Sequence, residues 1–348
     1  MTFEVKEPVL VVGLGGAGIK LASEMKEALG ADSLKISQDK KDVSEDNSIH
    51  ISTKSIINPS VQLIRGCAME QSENIAKQLS PYETVVIMAN LAGKSGAALA
   101  PVVSSICKEQ NKNVLSFAIM PFKFEKDRIF QSGISLKRLR INSDSTIIID
   151  NDAVLDSNPD LNAERCYDIT NNAIKCLATS IKSSELTDDT NILSSSRDTE
   201  NMEESVKDSI RMLYEDAPPN SIKRSMLYVY GASKIPVGVI NSISNILGGI
   251  FDENNSEVDM SSSNNTNVVL LSAIAGETRF ERYDPLGMIP EEKTLDWDEP
   301  ETSFDAFGFD SLALGFSSFG LSAFGFSISA VSSFSVSSVT SIASGSSI

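Results

Sequence analysis

Two patterns of apolar residues alternate over the first 150 positions of the chain. Apolar runs rich in β-branched residues predict buried strands at Val9–Val12, Ser33–Ser37, Thr84–Met88, Val114–Met120 and Thr146–Ile149. Between them, apolar residues at helical spacing predict helices at Ile19–Leu29, Met69–Leu79, Pro101–Gln110 and Arg128–Arg140. This alternation is typical of the α/β class and of a doubly wound parallel sheet, which binds its ligand beyond the carboxyl ends of the strands.

The second half of the chain follows a different order. One apolar stripe from Asn162 to about Ser183 predicts a long central helix, and the polar stretch Ser184–Glu200 predicts a loop. The next segment predicts a smaller α+β domain, with elements at Glu203–Glu215, Ser225–Tyr230, Pro236–Leu247 and Val268–Ala275. We therefore predict a first domain at 1–160, the central helix at 161–183 and the α+β domain at 184–285. An acidic linker and a disordered, uncharged Ser/Gly/Phe-rich tail are predicted at 286–348.

Composition excludes several classes of protein. The 47 acidic residues outnumber the 30 basic ones, and the formal net charge of −17 argues against a nucleic-acid partner. Four cysteines without a C-x-x-C pair, and His50 as the single histidine, argue against a metal site and a histidine-dependent triad. The charged N-terminus predicts no signal peptide, and no apolar stretch predicts a transmembrane segment, so we expect a cytoplasmic protein.

Two loops of small residues each follow a predicted strand and open a predicted helix. The first, Gly13–Gly18, fits G-x-G-x-x-G, and the second runs from Ala89 to Pro101. Backbone N–H groups in such loops, together with the helix dipole, attract an anion. Gly93-Lys94-Ser95 resembles the end of a P-loop, but Met88 stands where that motif requires its first glycine.

Further motifs follow in an order that carries a family resemblance. Met120-Pro121-Phe122-Lys123-Phe124-Glu125 contains P-F-x-F-E, and Asp150-Asn151-Asp152 follows an apolar strand. With the two glycine loops, these motifs resemble the FtsZ/tubulin superfamily over about residues 8–285, although the seven positions of the G-G-G-T-G-T-G signature read Ala92–Ala98. The resemblance implies a nucleotide-binding first domain, GTP or GDP as the ligand with or without Mg²⁺, and a role in cell division or the cytoskeleton. It also implies head-to-tail polymerisation of the chain with itself and a protein partner at the C-terminal tail.

The resemblance assigns nucleotide contacts to individual residues. It places phosphate contacts at Gly15, Gly16, Ala17, Gly18, Gly93, Ser95 and Gly96. It places ribose and base contacts at Glu125, Arg128, Asn151 and Asp168, with Arg128 standing beside Ile129, which occupies the position of the family's arginine. A carboxylate at Asp168 can accept both guanine N1–H and N2–H. The alternatives are a solvated helix carboxylate at Asp168, a turn-capping role for Asn151, and a relic cradle that keeps the fold without its ligand.

Hydrolysis is where the sequence departs furthest from the resemblance. The family carries N-x-D-x-x-[D/E] in a loop after the central helix, and a gapless count places its acids at Thr190 and Leu193. Asp188 and Asp189 are the nearby carboxylates that a small shift in register would recruit as catalytic residues. We therefore expect weak or lost GTPase activity.

Two other functions stay open at the level of sequence. An NAD(P)-dependent Rossmann oxidoreductase would use Gly13–Gly18 together with Asp39, which follows the second predicted strand at the distance expected of a ribose-binding acid. A scaffold that binds no nucleotide and regulates another filament would keep the same fold. Retained NAD would favour the former, and binding to another filament without nucleotide would favour the latter.

Overall fold

The computed structural model describes residues 2–43, 47–53, 58–181, 186–187, 190–197, 201–231, 236–251, 256–261, 267–276 and 278–280. The predicted linker and tail at 286–348 lie outside these residues. The strands are β1 (Thr2–Phe3), β2 (Val9–Leu14), β3 (Asp32–Ser37), β4 (Ser48–His50), β5 (Thr84–Asn90), β6 (Asn113–Met120), β7 (Ser145–Asp150), β8 (Leu186–Thr187), β9 (Thr190–Ser195), β10 (Ile222–Tyr230), β11 (Ser256–Ser261) and β12 (Asn267–Ile274).

Helices connect most of these strands. They are α1 (Gly15–Leu29), α2 (Val61–Glu70), α3 (Ser72–Leu79), α4 (Lys94–Glu109), α5 (Lys126–Asn142), α6 (Asn151–Ser157), α7 (Ala163–Ser180), α8 (Met202–Asp216) and α9 (Val237–Ile250). Among the residues described, no helix combines the length and the apolar character that crossing a bilayer requires.

One large sheet organises the described part of the chain. Its ten strands lie in the order β11-β10-β12-β9-β7-β6-β5-β2-β3-β4, while β1 and β8 form a separate short pair. Seven neighbouring strands of the sheet are mutually parallel: β4, β3, β2, β5, β6, β7 and β9. Strand β12 pairs antiparallel with both β9 and β10. The predicted α/β fold with a large, mostly parallel sheet is therefore confirmed. The predicted boundaries between the domains stay predictions.

Helices cover both faces of the sheet. Along β2, Val9 and Val11 pack with α1 and α7, whereas Leu10 and Val12 pack in the other core cluster, with α2 to α5, α8 and α9. Because successive side chains of a strand point to opposite faces, these clusters are the two sides of one sheet. This arrangement places α2, α4 and α5 together on one face.

The predicted start of a helix at Pro101 was wrong, because α4 begins at Lys94 and carries Pro101 in its interior. Proline removes the N–H that would bond the Ala97 carbonyl one turn earlier. The Ser135 hydroxyl of α5 donates to that carbonyl instead, at 2.6 Å. A side chain from a neighbouring helix thus compensates for the proline, and α4 continues through it.

The predicted loop at Ser184–Glu200 was also wrong, because it contains β9, which is buried along its whole length. The polar residues of this strand find partners inside the protein. The Asn191 amide donates to the Ser145 hydroxyl at 3.1 Å, and the Ser195 hydroxyl donates to the Val268 carbonyl at 3.0 Å. Hydrogen bonds of this kind offset the cost of burying polar groups, so a polar sequence forms an interior strand.

Candidate functional site

The first glycine loop turns directly from β2 into α1. Gly15 opens the helix with φ +67°, a left-handed conformation that glycine adopts without strain. A β-carbon placed on Gly18 would lie 2.3 Å from the Met88 carbonyl oxygen of β5. The backbone of the loop therefore approaches the neighbouring strand more closely than any other residue type would allow.

The second loop, between β5 and α4, packs in the same way. A β-carbon on Gly96 would lie 2.1 Å from the Asn90 carbonyl oxygen, and the Gly93 N–H donates to that oxygen at 3.1 Å. A β-carbon on Gly15 would lie 2.9 Å from Cβ of Ser95. The two loops therefore touch each other at the carboxyl ends of adjacent parallel strands, the edge at which such sheets bind ligands.

The N-terminal ends of α1 and α4 suit an anion. Neither helix has a side chain that caps its first turn, and neither has an acidic residue in that turn. Gly16 and Ala17 are exposed, so the backbone at the start of α1 is accessible. Backbone N–H groups and the dipoles of both helices thus converge where the two loops meet. We call the residues Gly15–Gly18 and Gly93–Gly96 the cradle.

Two charged side chains beside the cradle are arranged in ways that the sequence did not reveal. The carboxylate of Asp42 lies against Gly16, 3.0 Å from where a β-carbon would stand, and accepts a 2.7 Å hydrogen bond from the Ser37 hydroxyl. Lys94 donates to the Asn58 side-chain oxygen at 2.8 Å and to the Pro59 carbonyl at 3.0 Å. A negative charge therefore lies near the cradle, and the lysine is held by the segment before α2.

The P-F-x-F-E segment follows β6, the strand that pairs in parallel with β5. The Phe122 ring is buried and stacks on Phe124 with centroids 5.0 Å apart, while Tyr167 of α7 meets Phe122 edge-on at 5.3 Å. Glu125 accepts a hydrogen bond from the Phe122 N–H and forms a 2.7 Å ion pair with Arg128. The structure thus brings together Glu125 and Arg128, and Phe124 remains 64% exposed above them.

The two predicted base contacts have different surroundings. Asn151 is buried, donates to the Met120 carbonyl at 3.2 Å and accepts from the Thr170 hydroxyl at 3.1 Å. These bonds tie the start of α6 to β6 and α7, as the turn-capping alternative expects. The Asp168 side chain is 56% exposed, with Arg165 at 3.9 Å. Asp168 is therefore the more accessible of the two to a ligand.

The hydrolytic residues are the least supported part of the site. Asp188 and Asp189 lie outside the described residues, between β8 and β9. Thr190 and Leu193, which the gapless count matches to the family's acids, are both buried in β9. Neither position therefore presents a side chain at the surface of the protein. Within the described ranges, no group of three or more histidine, cysteine or acidic residues is arranged to hold a metal ion.

A cluster of buried charges, which sequence reasoning missed, lies behind the P-F-x-F-E segment. Arg279, which follows β12, is buried among four aspartates of α8 and of the β7–α6 junction. Its guanidinium lies 3.1 Å from Asp150, 2.6 Å from Asp152, 3.3 Å from Asp156 and 3.6 Å from Asp216. The ion pairs join segments far apart in sequence, so no local pattern indicates them.

Two of these buried aspartates, Asp150 and Asp216, affect each other's pKa. Burial, followed by the charge of Asp150, raises the pKa of Asp216 well above its usual range. Burial also raises the pKa of Asp150, while the charge of Arg279 opposes that shift. Burial and the neighbouring carboxylate thus both favour the protonated form of Asp216, while the Arg279 guanidinium favours the charged form of both aspartates.

Comparison with known sequences identifies relatives for half of the chain. A family model described as the Tubulin/FtsZ family, GTPase domain, matches residues 32–159. Cell division protein FtsZ 2 of Halobacterium salinarum is 29% identical over 178 residues, which cover 48% of this chain and 44% of that protein. Cell division protein FtsZ 2 of Methanocaldococcus jannaschii is 30% identical over 175 residues, which cover 48% and 46%. The match therefore spans less than half the length of these relatives.

Comparison with solved structures extends the likeness to most of the chain. The empty FtsZ dimer of M. jannaschii aligns with a TM-score of 0.61 and 19% identity, over 77% of this chain and 88% of that one. The GTPγS-bound CetZ2 protofilament of Haloferax volcanii aligns with a TM-score of 0.57 and 18% identity, over 80% and 97%. At such identities the structures show a shared fold. Together with the family model and the sequence relatives, they support a divergent relationship of this chain to the FtsZ/tubulin superfamily.

Proposed function

We propose that the chain binds GTP or GDP in the cradle and assembles head to tail into filaments of a cell-division or cytoskeletal kind, with weak or lost GTPase activity. One observation carries this proposal: the two glycine loops touch, with Gly15 against Ser95, at the edge of the sheet where ligands bind. Two converging helix N-termini at that edge suit a chain of phosphates. Mg²⁺ would offset the repulsion between those phosphates and Asp42.

Selection of guanine rests on Asp168. Its exposed carboxylate accepts both the N1–H and the N2–H of guanine, whereas adenine lacks this pair of donors. The ion pair of Glu125 with Arg128 supplies the polar groups for the ribose. Asn151 acts in this proposal by holding the start of α6 against β6 and α7, because its amide already has partners on both of these elements.

Assembly and slow hydrolysis follow from the same arrangement. A head-to-tail contact is heterologous and continues into a filament when no ring closes. In the family such a contact brings the next subunit's acids to the nucleotide, and here the matching positions Thr190 and Leu193 are buried in β9. Loss of a water-positioning group lowers a rate by about 10²–10⁴. Filaments of this chain would therefore persist after nucleotide binding.

Nucleotide analysis of the purified protein tests the proposal. One portion of the protein is denatured, and the released nucleotide is identified by chromatography. A second, folded portion is loaded with GTP and pelleted by ultracentrifugation. We expect GDP or GTP in the released fraction, GTP-dependent pelleting, and phosphate release at least about 10² below that of an active family member measured alongside. A protein that carries no guanine nucleotide and does not bind a fluorescent GTP analogue contradicts the proposal.

A second candidate function is a scaffold that has lost its nucleotide. The placement of the Asp42 carboxylate against Gly16 favours it, because a fixed negative charge at the start of α1 opposes phosphate binding. The bonds of Lys94 to Asn58 and Pro59 favour it too, since they remove a cation from the cradle. The nucleotide analysis separates the two candidates, because a scaffold would release neither guanine nucleotide nor NAD.

A further inference from the structure

A buried arginine of α2 lacks partners for part of its side chain. Arg65 is 3% exposed, and its Nε and Nη2 have no hydrogen-bond partner among the described residues. These two nitrogens lie on the same edge of the guanidinium, where their N–H bonds form a parallel pair. Burying a charge without a partner is strongly unfavourable, so this edge points to an anion that completes it.

A second arginine lies near the first. Arg138 belongs to α5, which packs against α4 on the same face of the sheet as α2. Ser135, one turn before Arg138, bonds the Ala97 carbonyl, so Arg138 stands beside the body of α4. Both arginines therefore belong to helices that pack against α4 on one face of the sheet.

Both arginines keep their charge at neutral pH. Burial lowers the pKa of Arg65 to about 10. Burial, and then repulsion from Arg65, lowers the pKa of Arg138 to about 10. Two cations thus lie close enough to repel each other, and an anion bound between them would remove both the repulsion and the missing hydrogen bonds.

We infer that Arg65 and Arg138 form a binding site for a phosphate dianion across α4. The Nε and Nη2 edge of Arg65 presents two parallel N–H donors to two oxygens of one anion, the bidentate geometry that arginine makes with phosphate and carboxylate. Two guanidinium groups favour phosphate over a single carboxylate, because phosphate carries a charge of about −1.5 to −2 at neutral pH. Inorganic phosphate and a phosphate monoester share this chemistry. The half-buried Arg138 side chain is the group that moves to admit either one.

Binding of inorganic phosphate to the full chain tests the site. Calorimetric titration and thermal unfolding are followed with phosphate, with phosphoserine as a monoester and with acetate, each at constant ionic strength set by chloride. We expect phosphate to bind at least about tenfold more tightly than acetate and to raise the melting temperature. Binding of phosphoserine as well as phosphate would assign the site to monoesters, and binding of phosphate alone would assign it to the free ion.

Variants separate this site from the cradle, whose helix N-termini also suit phosphate. Arg65→Met should weaken phosphate binding by about tenfold or more and raise the melting temperature in phosphate-free buffer, because it removes an unpaired buried charge. Arg65→Lys keeps the charge without the paired donors and should also weaken binding. Lys26→Gln, which removes one positive charge from the opposite face of the sheet, should leave binding unchanged.

Several results would overturn the inference. They are a phosphate response no larger than that of chloride, equal binding of acetate and phosphate, and full phosphate binding by Arg65→Met. If Arg65→Met does not fold, Arg138→Gln on the half-buried side chain takes its place, with the same expected loss of about tenfold. A result of this kind leaves the nucleotide proposal unaffected, since none of these variants alters the cradle.

Discussion

The cradle and the segment after α7 have diverged to different extents. In the cradle, Gly18 and Gly96 are fixed by packing, because a larger residue would overlap the Met88 and Asn90 carbonyl oxygens. After α7, the positions that would carry the hydrolytic acids belong to a buried strand. Gly18 and Gly96 are therefore required by the packing of the fold, whether or not a ligand is bound. Glycines that touch the next strand are therefore weak evidence for a nucleotide.

Gly16 and Ala17 are more informative than the packed glycines. Both are exposed, and the three atoms nearest to a β-carbon on Gly16 belong to the flexible carboxylate of Asp42. The fold alone does not explain a small residue there, whereas close approach of a phosphate does. Comparing substitutions at Gly18 and Gly16 therefore separates the needs of the fold from those of a ligand.

The largest effect is expected from Gly18→Ala. The new β-carbon would lie 2.3 Å from the Met88 carbonyl oxygen, so β2, α1 or β5 must shift. We expect a loss of about 3 kcal/mol or more in the free energy of unfolding, measured by urea denaturation without nucleotide. The control is Gly249→Ala, because a β-carbon there would have no neighbour within 4 Å. Gly30 is equally open, but its φ of +59° would strain an alanine. Equal stability of Gly18→Ala and the unaltered protein would show that the loop is not fixed by packing.

A smaller and more selective effect is expected from Gly16→Ala. The added methyl group narrows the approach to the start of α1, and the atom nearest to it is an Asp42 carboxylate oxygen at 3.0 Å, which can give way. We expect unchanged urea denaturation and an affinity for GDP lower by about tenfold. Titration with a fluorescent guanine nucleotide measures it. If Gly16→Ala binds GDP as tightly as the unaltered protein, the phosphates do not lie against Gly16. Gly16 would then be no more informative about a ligand than Gly18.

The sequence predicts much of the cradle and of the sheet that carries it. Both glycine loops and their strands were predicted, and the fold brings the loops together because parallel strands end at one edge. The missing parts depend on distant contacts. β9 is polar and is buried through bonds to Ser145 and Val268, and the Arg279 cluster joins residues more than a hundred positions apart. Neither leaves a periodic signal in the local sequence.

The buried carboxyl pair behind the P-F-x-F-E segment predicts a pH effect of moderate size. The pKa of Asp216 is higher in the folded than in the unfolded chain, so its contribution to stability is full below the unfolded value near 3.9 and is lost as the pH rises through the folded value. Asp216→Asn keeps the shape of the side chain and removes the buried group that ionises. We expect it to gain about 1 kcal/mol at pH 7 and to lose this advantage near pH 4, as followed by urea denaturation.

The control for this variant is Asp160→Asn, which alters an exposed carboxylate paired with Arg197 at the surface. It should show little difference from the unaltered protein across the same pH range. If Asp216→Asn is instead less stable at pH 7, the Asp216 carboxylate is ionised and Arg279 is its main partner. The Arg279 cluster would then be stabilised by the ionised forms of its aspartates.

The smallest effect is expected on the rate of GTP hydrolysis when Asp188 and Asp189 are replaced. If the segment after α7 no longer positions water, replacing both Asp188 and Asp189 by asparagine removes little. We expect the residual rate of phosphate release to fall by less than about tenfold, against the 10²–10⁴ that a working water-positioning group would supply. Phosphate release is measured at saturating GTP with the pelleting fraction held equal, so that altered assembly does not enter the rate. A fall of 10² or more would show that these carboxylates do act on the nucleotide, and that both sides of the site have kept their chemistry.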